Sequence, residues 1–206
     1  MMLPTHAVVG LAIAAPLASF APELAPIALA GGLAGGIFPD LDMYAGHRKT
    51  LHYPTVFGIL TLPTALLAVI YPQPVIVGAA FFIFGAAAHC QMDRFGGGLE
   101  LEPWKATSEK AVYDHVRGRW RRPKRWIAYD GSPQDLALLT VVSLPLLVVL
   151  PDPFRAIVVL AWLIGAVYTA LRRRLASIAP VVFGYAPQWL VEYVPERYRP
   201  ETVDRL

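Results

Sequence analysis

Apolar residues in this chain come in long unbroken runs rather than in alternation. Six runs stand out, at Ala7–Ala21, Leu24–Phe38, Pro54–Tyr71, Pro74–Cys90, Leu136–Leu150 and Phe154–Leu171. None holds a Lys, Arg, Asp or Glu, apart from Arg155 at the edge of the sixth. Such length, with much Ala and Leu, predicts helices, because strands are shorter and alternate when half-buried. A helix needs about 20 apolar residues to cross a bilayer core, with about 17 as a lower limit. Runs three, four and six approach or meet that length. Runs one, two and five are shorter and must borrow flanking residues or cross a thinned region. In lipid, helices also satisfy their own backbone groups. The expected fold is all-α, a polytopic membrane bundle of about six helices with a cytoplasmic loop and tail. A soluble all-α protein with buried helices is the alternative.

Composition agrees with the pattern. The chain is 56% hydrophobic and 16% charged, against about a quarter charged in an ordinary soluble protein. Its 206 residues suit one domain, divisible into a core over 1–105 and a remainder over 106–206. The single Cys, Cys90, excludes an internal disulfide. No Lys or Arg precedes the first run, so no cleaved signal peptide is expected.

Charge placement orients the bundle. With the N-terminus inside and six spans threaded, the links near Pro22-Glu23, Tyr71–Pro74 and Pro151–Pro153 lie outside. Of the 18 Lys and Arg residues only Arg155 falls on that side. This is a positive-inside distribution, and it places both termini in the cytoplasm.

Seven metal-capable side chains sit at the ends of the apolar runs: His6, Asp40, Asp42, His47, His52, His89 and Asp93. Four of the five His in the chain belong to this set. The orientation from Lys and Arg puts all seven at the cytoplasmic end, although nothing in their selection required it. His89 and Asp93 are four apart on a helical run and share a face, about 6 Å apart along the axis. Asp40 and Asp42, if extended, point the same way. Ionisable groups at membrane depth are functional by default. Four to five N and O ligands with carboxylates suit zinc or manganese, and a bridging carboxylate can hold two ions. Bound metal makes hydroxide available near neutrality, which suits hydrolysis of a phosphoester. Each block also has a plainer reading, as a helix end, an interfacial His or a helix-end hydrogen bond. Arg48 either pairs an acid or holds a substrate phosphate. Cys90, about 100° round the helix from His89, is expected to pack.

The motifs Thr5-His6-x-x-x-Gly10, Pro39-Asp40-x-Asp42, His47-Arg48-x-x-x-His52 and His89-x-x-x-Asp93, followed by Gly98 and Pro103-Trp104, resemble the membrane-bound, metal-dependent hydrolase family. Some of its members are described as LexA-regulated inner-membrane hydrolases. The resemblance covers the first 105 residues or so. It implies metal-binding roles for His6, Asp40, His52, His89 and Asp93. Asp42, His47 and Arg48 are then candidates for catalytic or supporting roles. The chain departs from the family pattern at Leu51-His52-Tyr53, where Thr-His-Ser is usual, and at Arg94-Phe95-Gly96, where a Thr is expected. These departures bear on substrate contacts rather than on ligands. The ligand order is also similar to that of zinc-dependent phospholipase C and related single-strand nucleases. That likeness implies that Asp40, His52 and His89 hold one ion, His6 another, and that Asp93 bridges them. It leaves only His115 for a third site.

Between Arg94 and Asp135, Gly96-Gly97-Gly98 marks a turn and Thr107-Ser108-Glu109 reads as a helix start. Arg117 to Arg125 packs six basic residues into nine positions, beside Trp120 and Trp126. That run suits an anionic lipid surface, nucleic acid being less favoured, and serves equally as a plain topology determinant. Gly31 to Gly36 holds two overlapping Gly-x-x-x-Gly pairs, expected to let run two pack closely inside the protein rather than dimerise it. The tail, Leu175 to Leu206, is expected to lie on the interface. The leading expectation is a metal-dependent hydrolase, zinc before manganese, acting on a phosphoester or lipid-linked substrate. The alternative is a membrane metal sensor or transporter; a transporter places its acids and His at mid-span, and here they lie at the ends. A membrane-anchored scaffold leaves the ligand clustering unexplained.

Overall fold

Proline opens five of the long helices, where its missing N–H costs nothing and its fixed φ suits the first turn. They are α1 (Leu3–Ala14), α3 (Ala25–Ile37), α4 (Pro54–Ile70), α5 (Pro74–Phe95) and α6 (Pro133–Val149). A single turn, α2 (Leu17–Phe20), separates α1 from α3, and α7 (Phe154–Gly184) and α8 (Gln188–Val191) follow α6. This computed structural model describes residues 1–191 and Val194. The fold is an all-α helical bundle, as the apolar runs predict, and the tail beyond Val194 lies outside the described residues.

Each apolar run becomes a helix, but the boundaries shift. Run one begins earlier, at Leu3, and turns at Pro16 before α2. Run four continues past its apolar part to Phe95, so His89 and Asp93 stay helical. Run six continues through Arg172-Arg173-Arg174 to Gly184. Three stretches are long and apolar enough to cross a membrane: Leu3–Phe20, Pro74–Phe95 and Phe154–Gly184. The helices α4 and α6 reach 17 residues each, and α3 only 13.

The core explains why α3 can be so short. It packs between α1 and α5, with α4 flanking α5 and the α6–α7 pair leaning on α1. The two Gly-x-x-x-Gly pairs serve different neighbours. Gly32 and Gly36 face α1: a Cβ on Gly32 would stand 2.3 Å from Gly10 O, and one on Gly36 2.5 Å from His6 O. Gly31 and Gly35 face α5: a Cβ there would stand 2.2 Å from Gly78 O and 2.0 Å from Phe82 O. Backbones this close leave no room for side chains between them. Val8, Leu11, Leu29, Leu139, Leu150 and Val158 fill the remaining core. Cys90 is buried with Phe57 and Ala86, in packing as expected. Large apolar side chains on α4, α6 and α7 face outward, among them Ile59, Leu62, Val69, Val148 and Leu160. Outward apolar side chains of that number fit lipid.

The segment after α5 corrects one expectation. Thr107-Ser108-Glu109 starts no helix. The chain runs extended into a hairpin, β1 (Val112–Asp114) and β2 (Arg119–Arg121), paired antiparallel with Tyr113 opposite Trp120. Ser108 is committed elsewhere: its N–H donates to Glu100 and its carbonyl accepts from Arg125. Gly118, at φ +62°, makes the turn. Asp114 anchors the hairpin, accepting from Thr55 at the start of α4, from Arg117 and from Arg121.

Candidate metal centre

His89 and Asp93 share one face of α5, as their spacing of four dictates, and both are fully buried. Asp40 comes from a 3₁₀ helix, Phe38–Tyr44, that continues α3. His52 comes from the loop before α4. One ligand atom from each lies within 4.8 Å of all the others, and this group can hold a metal ion. His52 Nε2 is 3.2 Å from Asp93 Oδ2 and 3.7 Å from Asp40 Oδ1. His89 Nε2 is 3.4 Å from Asp40 Oδ1 and 3.5 Å from Asp93 Oδ2. A tetrahedral zinc site with bonds of about 2.0–2.1 Å has ligand atoms about 3.3 Å apart. The four separations straddle that value.

Both imidazoles are held from behind. His89 Nδ1 lies 2.7 Å from Gly36 O. A carbonyl only accepts, so Nδ1 carries the hydrogen and Nε2 of the neutral ring presents its lone pair. That Nε2 is buried with no hydrogen-bond partner, facing two carboxylate oxygens. Two carboxylates facing that nitrogen call for a positive charge between them, either a proton on Nε2 or a metal ion. His52 Nδ1 donates to Asp42 Oδ2 at 2.9 Å, which turns its Nε2 to the same gap. A carboxylate or carbonyl behind each His fixes the tautomer and raises ligand basicity.

Asp42 therefore does not point the way Asp40 does. The extended reading of Pro39 to Asp42 fails because the chain there is 3₁₀, about 120° per residue, so i and i+2 diverge. Asp42 is buried and accepts from the backbone N–H groups of Arg48, Lys49 and Leu51 as well as from His52. Burial alone would raise its pKa. Hydrogen bonds from His47 and His52, then from the Leu51 N–H, outweigh that and hold it well below the usual carboxylate range. His52 is shifted the other way. Burial lowers its pKa, but hydrogen bonds to Asp42 and Asp93 raise it above the ordinary value. Surroundings that hold a proton this well also favour a cation.

The other expected residues surround the four. His6, on α1, stands outside the group; it stacks on His89 with ring centroids 3.7 Å apart and sets Nε2 3.2 Å from Asp93 Oδ1. His47 Nδ1 is 3.2 Å from Asp42 Oδ1 and 3.9 Å from Asp40 Oδ1. Arg48 is buried, with Nη2 3.3 Å from Asp93 Oδ1 and Nη1 donating to Gly97 O and Ala111 O. It adopts φ +60°, a costly backbone for a side-chain-bearing residue, which its N–H to Asp42 and its carbonyl to Tyr113 hold in place. Asp93 thus divides its two oxygens. Oδ2 faces the gap, while Oδ1 meets His6, Arg48 and the Met1 nitrogen at 2.8 Å. His115, exposed, bonds to Lys49 O outside the group. The carbonyls of Gly36, Gly97 and Ala111 were invisible to motif reasoning, because backbone oxygens carry no residue-type signal.

Comparison of the chain with family models, curated proteins and solved structures returned no match. The chemistry of the site is read from its geometry.

Proposed function

We propose that this protein is a membrane-bound, metal-dependent hydrolase of phosphoesters, with Asp40, His52, His89 and Asp93 holding one divalent ion. Zinc fits the spacing and the two-His, two-carboxylate donor set best, and manganese is the second choice. The carrying observation is the convergence of four ligand atoms, one each from Asp40, His52, His89 and Asp93, within 4.8 Å of one another, with His89 Nε2 turned into that group by Gly36 O. When bound, a divalent ion supplies Lewis acidity and a water of lowered pKa. The reaction adds water across a P–O bond: the water oxygen bonds to phosphorus, the ester bond breaks and the leaving oxygen takes the proton. Arg48 places a permanent positive charge 3.3 Å from Asp93, suited to an anionic substrate. Asp42 and Gly36 orient the two His, and His47 stands at the rim beside Asp40. The positive-inside distribution supports a cytoplasmic face for this centre and both termini.

Metal analysis of the detergent-purified protein tests the site. One equivalent of ion in the wild type and none in Asp93→Asn are expected. Turnover of bis(p-nitrophenyl) phosphate, abolished by chelator and restored by zinc, tests the reaction. A metal-free wild-type protein would falsify the centre. Metal without turnover of any phosphoester transfers the protein to the sensor class.

A further inference from the structure

Between Glu109 and Arg125 the chain carries seven Lys and Arg against two carboxylates, an excess of five positive charges. The fold divides them into two groups. Arg117 and Arg121 pair with Asp114, and Arg122 and Arg125 pair with Glu109. Lys110, Arg119 and Lys124 are exposed and have no carboxylate in ion-pair range among the described residues, and the same holds for Lys49. Three of these four free cations rest on rings instead. Lys49 Nζ stands 5.0 Å from the Tyr113 ring and Lys110 Nζ 5.8 Å from the Trp120 ring. Lys124 Nζ stands 4.7 Å from Phe95 and 5.0 Å from Trp126. Tyr113 and Trp120 are cross-strand partners, so their rings share one face of the hairpin. A ring places an ammonium without neutralising it, and the charge stays available to an anion.

Two anchors fix the height of this surface along the helices. At α5, the Lys124 N–H donates to Arg94 O and the Ile127 N–H to Phe95 O. Phe95 is the last residue of the stretch Pro74–Phe95, which is long and apolar enough to cross a membrane. Trp126, 71% exposed, packs on Phe95 with ring centroids 4.5 Å apart. At α4, Asp114 accepts from Thr55, and Arg121 Nη2 donates to Thr55 Oγ1 at 2.7 Å. Thr55 is the second residue of that helix, and Ile59, outward and 65% exposed, follows about 6 Å along the axis. The hairpin thus sits where one candidate span ends and the outward apolar face of α4 begins. Lys, Arg and Trp gather at that level of a bilayer.

We propose that the hairpin and its flanks are a docking surface for the anionic headgroups of the bilayer, with Lys49, Lys110, Arg119 and Lys124 as the contact charges and Trp126 seated among the headgroups. The proposal rests on the membrane part of the function proposed above and not on catalysis. The occupant follows from charge complementarity: four fixed cations without counter-ions, at the end of a span, meet lipid phosphates first. Orienting the chain during insertion needs these charges only once. A standing preference for anionic lipid is a separate property, and it needs them afterwards.

The test puts a bimane fluorophore at Val116→Cys, in the hairpin turn and 61% exposed. Cys90 is fully buried, so the label goes to position 116. The protein is reconstituted in phosphatidylcholine nanodiscs containing a minor fraction of phosphatidylglycerol or phosphatidylcholine that carries a nitroxide near the top of one acyl chain. Half-maximal quenching should need about fivefold less labelled phosphatidylglycerol than labelled phosphatidylcholine, the worth of one well-placed charge, and more if several act together. High salt should remove the difference. So should Lys49→Gln/Lys110→Gln/Arg119→Gln/Lys124→Gln, whose thermal unfolding in detergent should match the parent because none of the four holds a carboxylate. Equal quenching by the two lipids, or a preference that survives the fourfold variant, overturns the docking surface and leaves the membrane reading standing. Equal quenching together with salt-sensitive capture of a single-stranded oligonucleotide assigns the surface to nucleic acid and likewise overturns the proposal. A protein that fails to enter the bilayer at all overturns both readings.

Discussion

At the scale of single residues, the candidate centre depends on side chains outside the four candidate ligands. Asp42 is the clearest case, because it holds His52 while sitting behind it. Asp42→Asn should lower metal affinity about 10- to 100-fold without removing a ligand. A metal titration beside Asp93→Asn, which removes a ligand outright, separates the two effects. Proton competition gives a second prediction. The pKa of His52 is raised by Asp42 and Asp93, so a bound ion must displace a proton over a range that extends above the usual value of about 6.5. Apparent metal affinity should therefore climb with pH through neutrality, by about tenfold per unit while one proton is released, and level off only above the raised pKa. Affinity independent of pH between 6 and 8 would show that His52 is not displaced from a proton. Four candidate ligands were legible in the sequence because His89 and Asp93 repeat at helical spacing and because Asp40 and His52 flank apolar runs; His6, expected among them, stands outside the group. The division of labour between Asp40 and Asp42 was not. It depends on whether the seven residues Phe38–Tyr44 after α3 run extended or as 3₁₀, and Pro39 permits both.

At the scale of elements, glycine contacts carry the geometry of the site. His89 reaches Gly36 O because α3 and α5 approach at Gly35, Phe82 and Gly85 with no side chain between them. Gly35→Ala puts a Cβ 2.0 Å from Phe82 O and should destabilise the bundle by about 1–3 kcal/mol or more, with loss of bound metal. Gly58→Ala, with nothing within 4 Å of the new Cβ, should be neutral or stabilising by up to about 1 kcal/mol. Thermal unfolding in detergent compares the pair. The Gly-x-x-x-Gly pairs announced close packing from sequence alone, yet not that each serves a different neighbour, since that follows from where α1 and α5 lie. The hairpin was misread because Thr107-Ser108-Glu109 has the local chemistry of a helix start, and distant partners overrode it. Its anchor gives a pH test. Burial raises Asp114, but hydrogen bonds from Arg117, Arg121 and Thr55 outweigh it and depress the carboxyl. A depressed folded-state pKa means that the contribution is complete above the unfolded value of about 3.9 and is lost as pH falls through the folded one. Wild type should exceed Asp114→Asn in thermal stability above about pH 4 and converge with it under stronger acid.

At the scale of the whole molecule, candidate ligands from the α5 end, the 3₁₀ helix and the His52 loop meet beside Arg48, which the carbonyls of Gly97 and Ala111 hold. Three stretches able to cross a membrane and a covered polar centre near one end make a single object, and the apolar runs foretold its class but not its cover. That cover has a kinetic meaning. An ion held among three nearly inaccessible side chains leaves only as fast as the structure opens, so a chelator in solution waits for the protein. The rate of metal stripping by excess chelator should be independent of chelator concentration, and should rise when Arg48→Ala releases the Gly97 and Ala111 carbonyls from the loop before α4. Stopped-flow release into a chromogenic chelator reads both. A stripping rate proportional to chelator concentration would mean that the centre is open to water. If the rate saturates, the lifetime of the loaded protein is set by a backbone fluctuation and not by the strength of any metal–ligand bond.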